Sequence, residues 1–140
     1  MSALDSLIRL HRWQVDERRR HLVDLEGLAT QLAEESQRLD REEAREQAVA
    51  AASPEAAITY ANYARRLIER RRKLAQSQAE VAEQIERSRA LLGEAFQEVK
   101  RYETMAANRL RQQQRREERR QQQTLDNLGI EAFRRRGGKD

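Results

Sequence analysis

The sequence predicts an all-α fold, an antiparallel two-helix coiled-coil hairpin whose second helix is longer than its first. Three observations predict it. The composition is 37% charged and only 4% aromatic, with one proline and five glycines in 140 residues. A chain so poor in breakers and bulk reads as long helix and can bury a narrow seam, not a thick core. Apolar residues also recur in two long series at alternating steps of four and three, the spacing of a coiled-coil stripe. Finally, the single proline, Pro54, falls between those two series.

The first series runs Leu4, Ile8, His11, Val15, Arg18, Leu22, Leu25, Ala29, Leu32, Ser36, Leu39, Glu43, Glu46, Ala50. Leu25 and Leu32 are among its expected buried members. The stripe predicts a helix over about 3–51, about 70 Å long at ~1.5 Å per residue. The segment Ala51-Ala52-Ser53-Pro54-Glu55 then breaks the pattern. Proline disfavours helix in the residue before it but suits the first helical position, where an N–H has no partner to lose. Ser53 is a good N-cap and Glu55 sits favourably in the first turn, so a stop and an immediate restart are expected at about 51–53.

The second series runs Tyr60, Ala64, Leu67, Arg71, Leu74, Gln78, Val81, Ile85, Ser88, Leu92, Ala95, Val99, Tyr102, Ala106, Arg109. A short connection makes the two helices antiparallel neighbours, and Leu4 is expected opposite the region of Tyr102. The second helix is expected over about 54–125, with Leu74 and Leu92 buried in the seam. Its stretch from Glu103 to about Thr124 has no partner within the hairpin and forms an overhang of roughly 30–35 Å. Asn127, Gly129 and Gly137-Gly138 predict a frayed tail over 126–140. The whole chain, 1–140, reads as a single coiled-coil hairpin.

Charge is uneven along the chain. Residues 1–100 carry 17 Lys and Arg against 18 Asp and Glu, whereas residues 101–140 carry 11 against 6. The excess positive charge is therefore confined to the last forty residues. There is no cysteine, which excludes disulfides and thiolate metal sites and fits a reducing compartment. No apolar run approaches the roughly 18 residues of a membrane span. The opening residues lack the apolar stretch of a signal peptide.

Catalytic chemistry finds little to stand on. His11 and His21 are ten residues apart and do not share the face that a helical metal pair needs. The acidic pairs Glu34-Glu35 and Glu42-Glu43 are expected on solvated faces, without the cleft that would raise a carboxyl pKa. There is no glycine-rich phosphate loop. We expect neither an enzyme nor a cofactor.

Three groups of residues point instead to binding. Arg109, Arg111, Arg115, Arg116, Arg119 and Arg120 form the densest charge signal, with Arg134, Arg135 and Arg136 beyond. Such a run could neutralise phosphates. However, no aromatic lies between Arg109 and Arg120 for base stacking, and Glu117 and Glu118 interrupt the run. A solvated face, or one that meets an acidic protein, is at least as well supported. Leu10 and Trp13 fall three residues apart on the outer face of the first helix, where a tryptophan is a candidate anchor. Near the hairpin tip, Tyr60 and Leu67 belong to the seam while Tyr63 and Ile68 flank it. This group reads equally as a broad seam and as an interface patch.

The segment Ile58-Thr59-Tyr60-Ala61-Asn62-Tyr63-Ala64-Arg65-Arg66-Leu67-Ile68 resembles the start of the second helix in the FliJ family of flagellar type III export stalk proteins. The opening Leu4-Asp5-Ser6-Leu7-Ile8-Arg9-Leu10 is similar to that family's N-terminal start, and the Gln- and Arg-rich overhang ending in Leu125-Asp126 resembles its tail. The resemblance covers the whole chain. It implies a hairpin similar in shape to the coiled-coil shaft of the rotary ATP synthase gamma subunit. Such a stalk inserts into the ring of the export ATPase, FliI, contacts the export gate protein, FlhA, and binds export chaperones. By position, the resemblance makes Tyr60, Tyr63, Leu67 and Ile68 candidates for gate contact. It makes the overhang, with its six arginines, and the N-terminal turn candidates for ATPase contact. It also implies a cytoplasmic protein held at the inner membrane through the export apparatus. The rival readings from the residues alone are a basic coiled coil that binds nucleic acid and a generic cytosolic scaffold.

Overall fold

The computed structural model describes residues 2–137. It contains two helices, α1 (Ala3–Ala50) and α2 (Pro54–Gly137), with no strand among the described residues. They form the expected antiparallel hairpin, with α2 the longer. Contacts divide the chain into two units. One is Arg12–Phe96, and the other joins the described residues up to His11 with those from Gln97 onward.

Each helix begins for a local reason. At the start of α1, Asp5 N donates to Ser2 Oγ at 3.2 Å while Ser2 N donates to Asp5 Oδ2 at 3.3 Å. Two free amide donors are satisfied reciprocally, as in a capping box. At the start of α2, Ala56 N donates to Ser53 Oγ at 3.1 Å, so Ser53 caps the helix that Pro54 opens. Between the helices, Ala51 N bonds to the Gln47 carbonyl and Ala52 N to the Val49 carbonyl, both at 3.1 Å. The second bond tightens the last turn of α1 and uses up a carbonyl that would otherwise face the break. The turn needs no positive φ at any described residue.

The seam follows the two series. Of the positions named in the first, only Arg18 is exposed, and of those in the second, only Arg109. Leu4, Ile8, Val15, Leu25, Leu39, Leu67, Val81 and Val99 are buried. Leu32, Leu74 and Leu92 are only half-buried, because two helices cover a stripe from one side and leave its flanks open.

In the unit Arg12–Phe96, the tightest packing surrounds Leu39, Tyr63 and Leu67, with Tyr60 and Leu74 against them. Beside this cluster the seam turns polar. Arg71, itself on the stripe, reaches Glu43 at 2.7 Å and Asp40 at 2.8 Å, and Arg70 reaches Glu42 at 3.2 Å. Glu42 and Glu43 are thus half-buried cross-helix partners and not the solvated pair expected from sequence. A polar layer of this kind has few acceptable alignments and fixes the register of the pair. Farther along the same unit, the Arg19 guanidinium lies 4.9 Å from the Phe96 ring centroid, a cation–π contact between the helices.

In the other unit, the His11 ring stacks on Tyr102 with centroids 4.8 Å apart. Leu4 borders a hollow with Ala106, Ala107 and Leu110. Tyr102 therefore faces His11, one heptad later in α1 than Leu4. Side chains of paired helices seat between residues of the partner, and here the flat aromatic pair sets the alignment. Beyond Ala106, every described residue of α2 is exposed. The helix also runs past Leu125 to Gly137, where the sequence suggests fraying, and residues 138–140 of that expected tail lie outside the described residues. Gly129 does not stop it, since no described glycine takes the positive φ of a C-terminal cap. Arg134, Arg135 and Arg136 lie in the last turn, where cations complement the helix dipole.

Candidate functional site

The four tip residues do not behave alike. Leu67 and Tyr63 are buried, at 3% and 8% exposure, and Tyr60 is half-buried. Ile68, by contrast, is 70% exposed. Tyr63 and Ile68 were expected to share a half-open flanking role. A heptad position fixes where Cβ points but not where a long side chain ends, and the Tyr63 ring reaches the Leu39 layer. Ile68, one helical step past Leu67, turns away from the cluster.

Hydrogen bonding separates the two tyrosines as well. Tyr60 Oη accepts from Gln47 Nε2 at 3.1 Å. Tyr63 Oη is shielded from solvent and has no hydrogen bond of good geometry within the described chain. Burial, then the negative charge of Glu42, push its ionisation above the ordinary tyrosine value of about 10. The Arg71 guanidinium is held charged more firmly still, first by its hydrogen bond to Glu43 and then by that to Asp40.

Ile58 is also 70% exposed, a residue that sequence reasoning passed over at this tip. At the helical period it lies on the same outer side of α2 as Ala61, Arg65 and Ile68. The signal was available, since Ile58 and Ile68 both lie off the 4-3 stripe.

Along α2 beyond Ala106, Arg109, Arg111, Arg115, Arg116, Arg119 and Arg120 all face solvent. Arg120 lies 3.7 Å from Glu117. The other five make no ion pair among the described residues. At 3.6 residues per turn the six side chains spread over about half the circumference of the helix. Leu10 and Trp13 on α1 are each exposed, Trp13 by 56%. No group of His, Asp and Glu among the described residues could hold a metal ion, and no described helix is long and apolar enough to cross a membrane.

A family model described as the flagellar FliJ protein matches residues 1–138. The chain belongs to the FliJ family. Membership makes this FliJ-family chain a component of the flagellar export apparatus. No curated protein and no solved structure gives a match to it. Within the FliJ-family chain, exposed apolar side chains thus lie at the tip (Ile58, Ile68) and on α1 (Leu10, Trp13), and exposed arginines along the end of α2.

Proposed function

We propose that the chain is a non-enzymatic stalk of the flagellar type III export apparatus. The open end of α2, with the N-terminal turn of α1, enters the ring of the export ATPase FliI. Arg109, Arg111, Arg115, Arg116, Arg119 and Arg120 supply the contacts there. The tip meets the export gate protein FlhA, with Ile68 in direct contact and Tyr60, Tyr63 and Leu67 holding its surface in place. Leu10 and Trp13 offer a further anchor on α1, and export chaperones are additional partners. The stalk acts in the cytoplasm and is held at the inner membrane through these partners.

One observation carries the reading: in a chain of this family, α2 continues bare and basic for about 45 Å past its last covered residue, Ala106. A helix that stays regular without a neighbour is suited to entering another protein's central opening, where all of its sides meet a surface. Five of its six arginines are unpaired among the described residues, so binding to acidic groups would break few existing bonds.

The test is reconstitution with purified export ATPase. Adding the chain should raise ATP hydrolysis, and a chain ending at Ala106 should not. Equal stimulation by the shortened chain would rule out the open end as the contact. The arginine run favours a second reading, nucleic-acid binding, which salt distinguishes. A phosphate binder loses affinity steeply between low and moderate salt, and retention on DNA or RNA that follows that slope would support it.

A further inference from the structure

We infer that the last turns of α2, Leu125–Arg136, form an amphipathic helix that lies directly on an anionic lipid surface. Leu125, Leu128 and Phe133 are all exposed, and Phe133, at 77%, is the most exposed large apolar side chain among the described residues. At the helical period, Leu128, Ala132, Leu125, Gly129 and Phe133 fall in that angular order within an arc of about 140°. Asn127, Glu131 and Arg134 lie on the other side, Arg135 borders the arc beside Leu128 and Asp126 borders it beside Phe133, and Arg136 falls within the arc at its C-terminal end. This face is not a continuation of the seam. Carried forward, the 4-3 stripe passes through Gln113, Arg116, Arg120, Gln123 and Asn127, which are all polar.

The charge pattern selects the occupant. The last forty residues hold 11 Lys and Arg against 6 Asp and Glu. Arg134, Arg135 and Arg136 close the apolar arc at its C-terminal end. A lone helix offers a flat apolar strip and no groove. A lipid surface accepts such a strip, and arginine stems can run along it to place guanidinium groups among phosphates. Clustered basic residues add attraction to anionic headgroups. No described helix is suited to crossing a membrane, so the segment lies in the interface plane. The ATPase contact is assigned to Arg109 through Arg120, so in this inference the turns from Leu125 onward stay outside the ring and add a direct membrane contact to one made through partners.

The test uses the full chain with two kinds of vesicle, phosphatidylcholine alone and phosphatidylcholine mixed with phosphatidylglycerol. Flotation should recover the chain with the mixed vesicles only, and recovery should fall as salt rises. The double variant Leu128→Ser, Phe133→Ser keeps every charge and should bind at least about tenfold more weakly. Its melting curve should match the parent, because both positions are exposed. Arg134→Gln, Arg135→Gln, Arg136→Gln should weaken binding to the anionic mixture and lessen its dependence on salt. No flotation with the mixed vesicles overturns the inference. So does equal recovery with pure phosphatidylcholine, and so does undiminished binding by the folded serine variant.

Discussion

Up to Ala106, α2 carries a covered stripe, whereas from Ala107 to Gly137 the same unbroken helix is exposed at every position. Both stretches are rich in Arg, Gln and Glu, although alanine thins out and positive charge rises in the second. Spacing separates them most sharply. In the first stretch the 4-3 positions hold Leu67, Leu74, Val81, Leu92 and Val99, and in the second they hold Gln113, Arg116, Arg120 and Gln123. One stretch is helical because it buries a face against α1. The other is helical from intrinsic preference, with local help such as the Gln122 Nε2 to Asp126 Oδ1 bond at 3.1 Å. The first is suited to holding a shape and the second to being covered by something else.

The largest expected effect lies in the covered stretch. Leu67→Ala should cost about 2–3 kcal/mol of stability in denaturant unfolding, while Leu128→Ala should leave the midpoint unchanged. Comparable losses at both positions would mean that the end of α2 is packed as well as the seam. Next comes the cap that starts α2. Ser53→Ala removes the acceptor of the Ala56 amide and should cost about 1 kcal/mol. A neutral result would mean that Pro54 alone sets the helix start.

Tyr63 sharpens the comparison through pH. Its ionisation is raised in the fold by burial and by Glu42, so above about pH 10 the unfolded chain loses this proton more readily than the folded one. This contribution to stability is therefore constant below pH 10 and declines above it. The melting temperature of Tyr63→Phe should fall less steeply over that alkaline range than the parent's. Parallel curves would show that the hydroxyl is not shielded. The smallest effect on stability belongs to Ile68→Ala. Its melting curve should overlay the parent's while affinity for the gate protein drops about tenfold. Tyr63→Ala should instead lower the melting temperature, and any loss of gate binding at low temperature would then mark a contact beyond packing.

The hairpin itself was legible because the period of a coiled coil is written in one dimension. The 4-3 series and the Ser53-Pro54 pair were enough to locate both helices and the break. Three features were less accessible. The burial of Tyr63 depends on the reach of a side chain, which a heptad letter does not encode. The Arg71 bridge to Glu43 and Asp40 looked like defects in two stripes when each helix was read alone. Opposite charges on facing stripes would have revealed it once the two series were aligned. The persistence of α2 past Gly129 was hidden because a glycine is read as a stop. It acts as one only where the backbone adopts the left-handed turn, and here it remains helical. The site residues were visible as exposed or aromatic side chains, but their partners were implied only by the family.

The central claim is that the bare basic end of α2 is the surface that engages the export ATPase, and charge reversal tests it most directly. In the variant Arg115→Glu, Arg116→Glu, Arg119→Glu, Arg120→Glu, circular dichroism should show nearly parental helicity, because glutamate is as good a helix former as arginine. ATPase stimulation, measured against the same concentration of parent chain, should fall sharply. A fully helical quadruple variant that stimulates the ATPase as well as the parent would contradict the account.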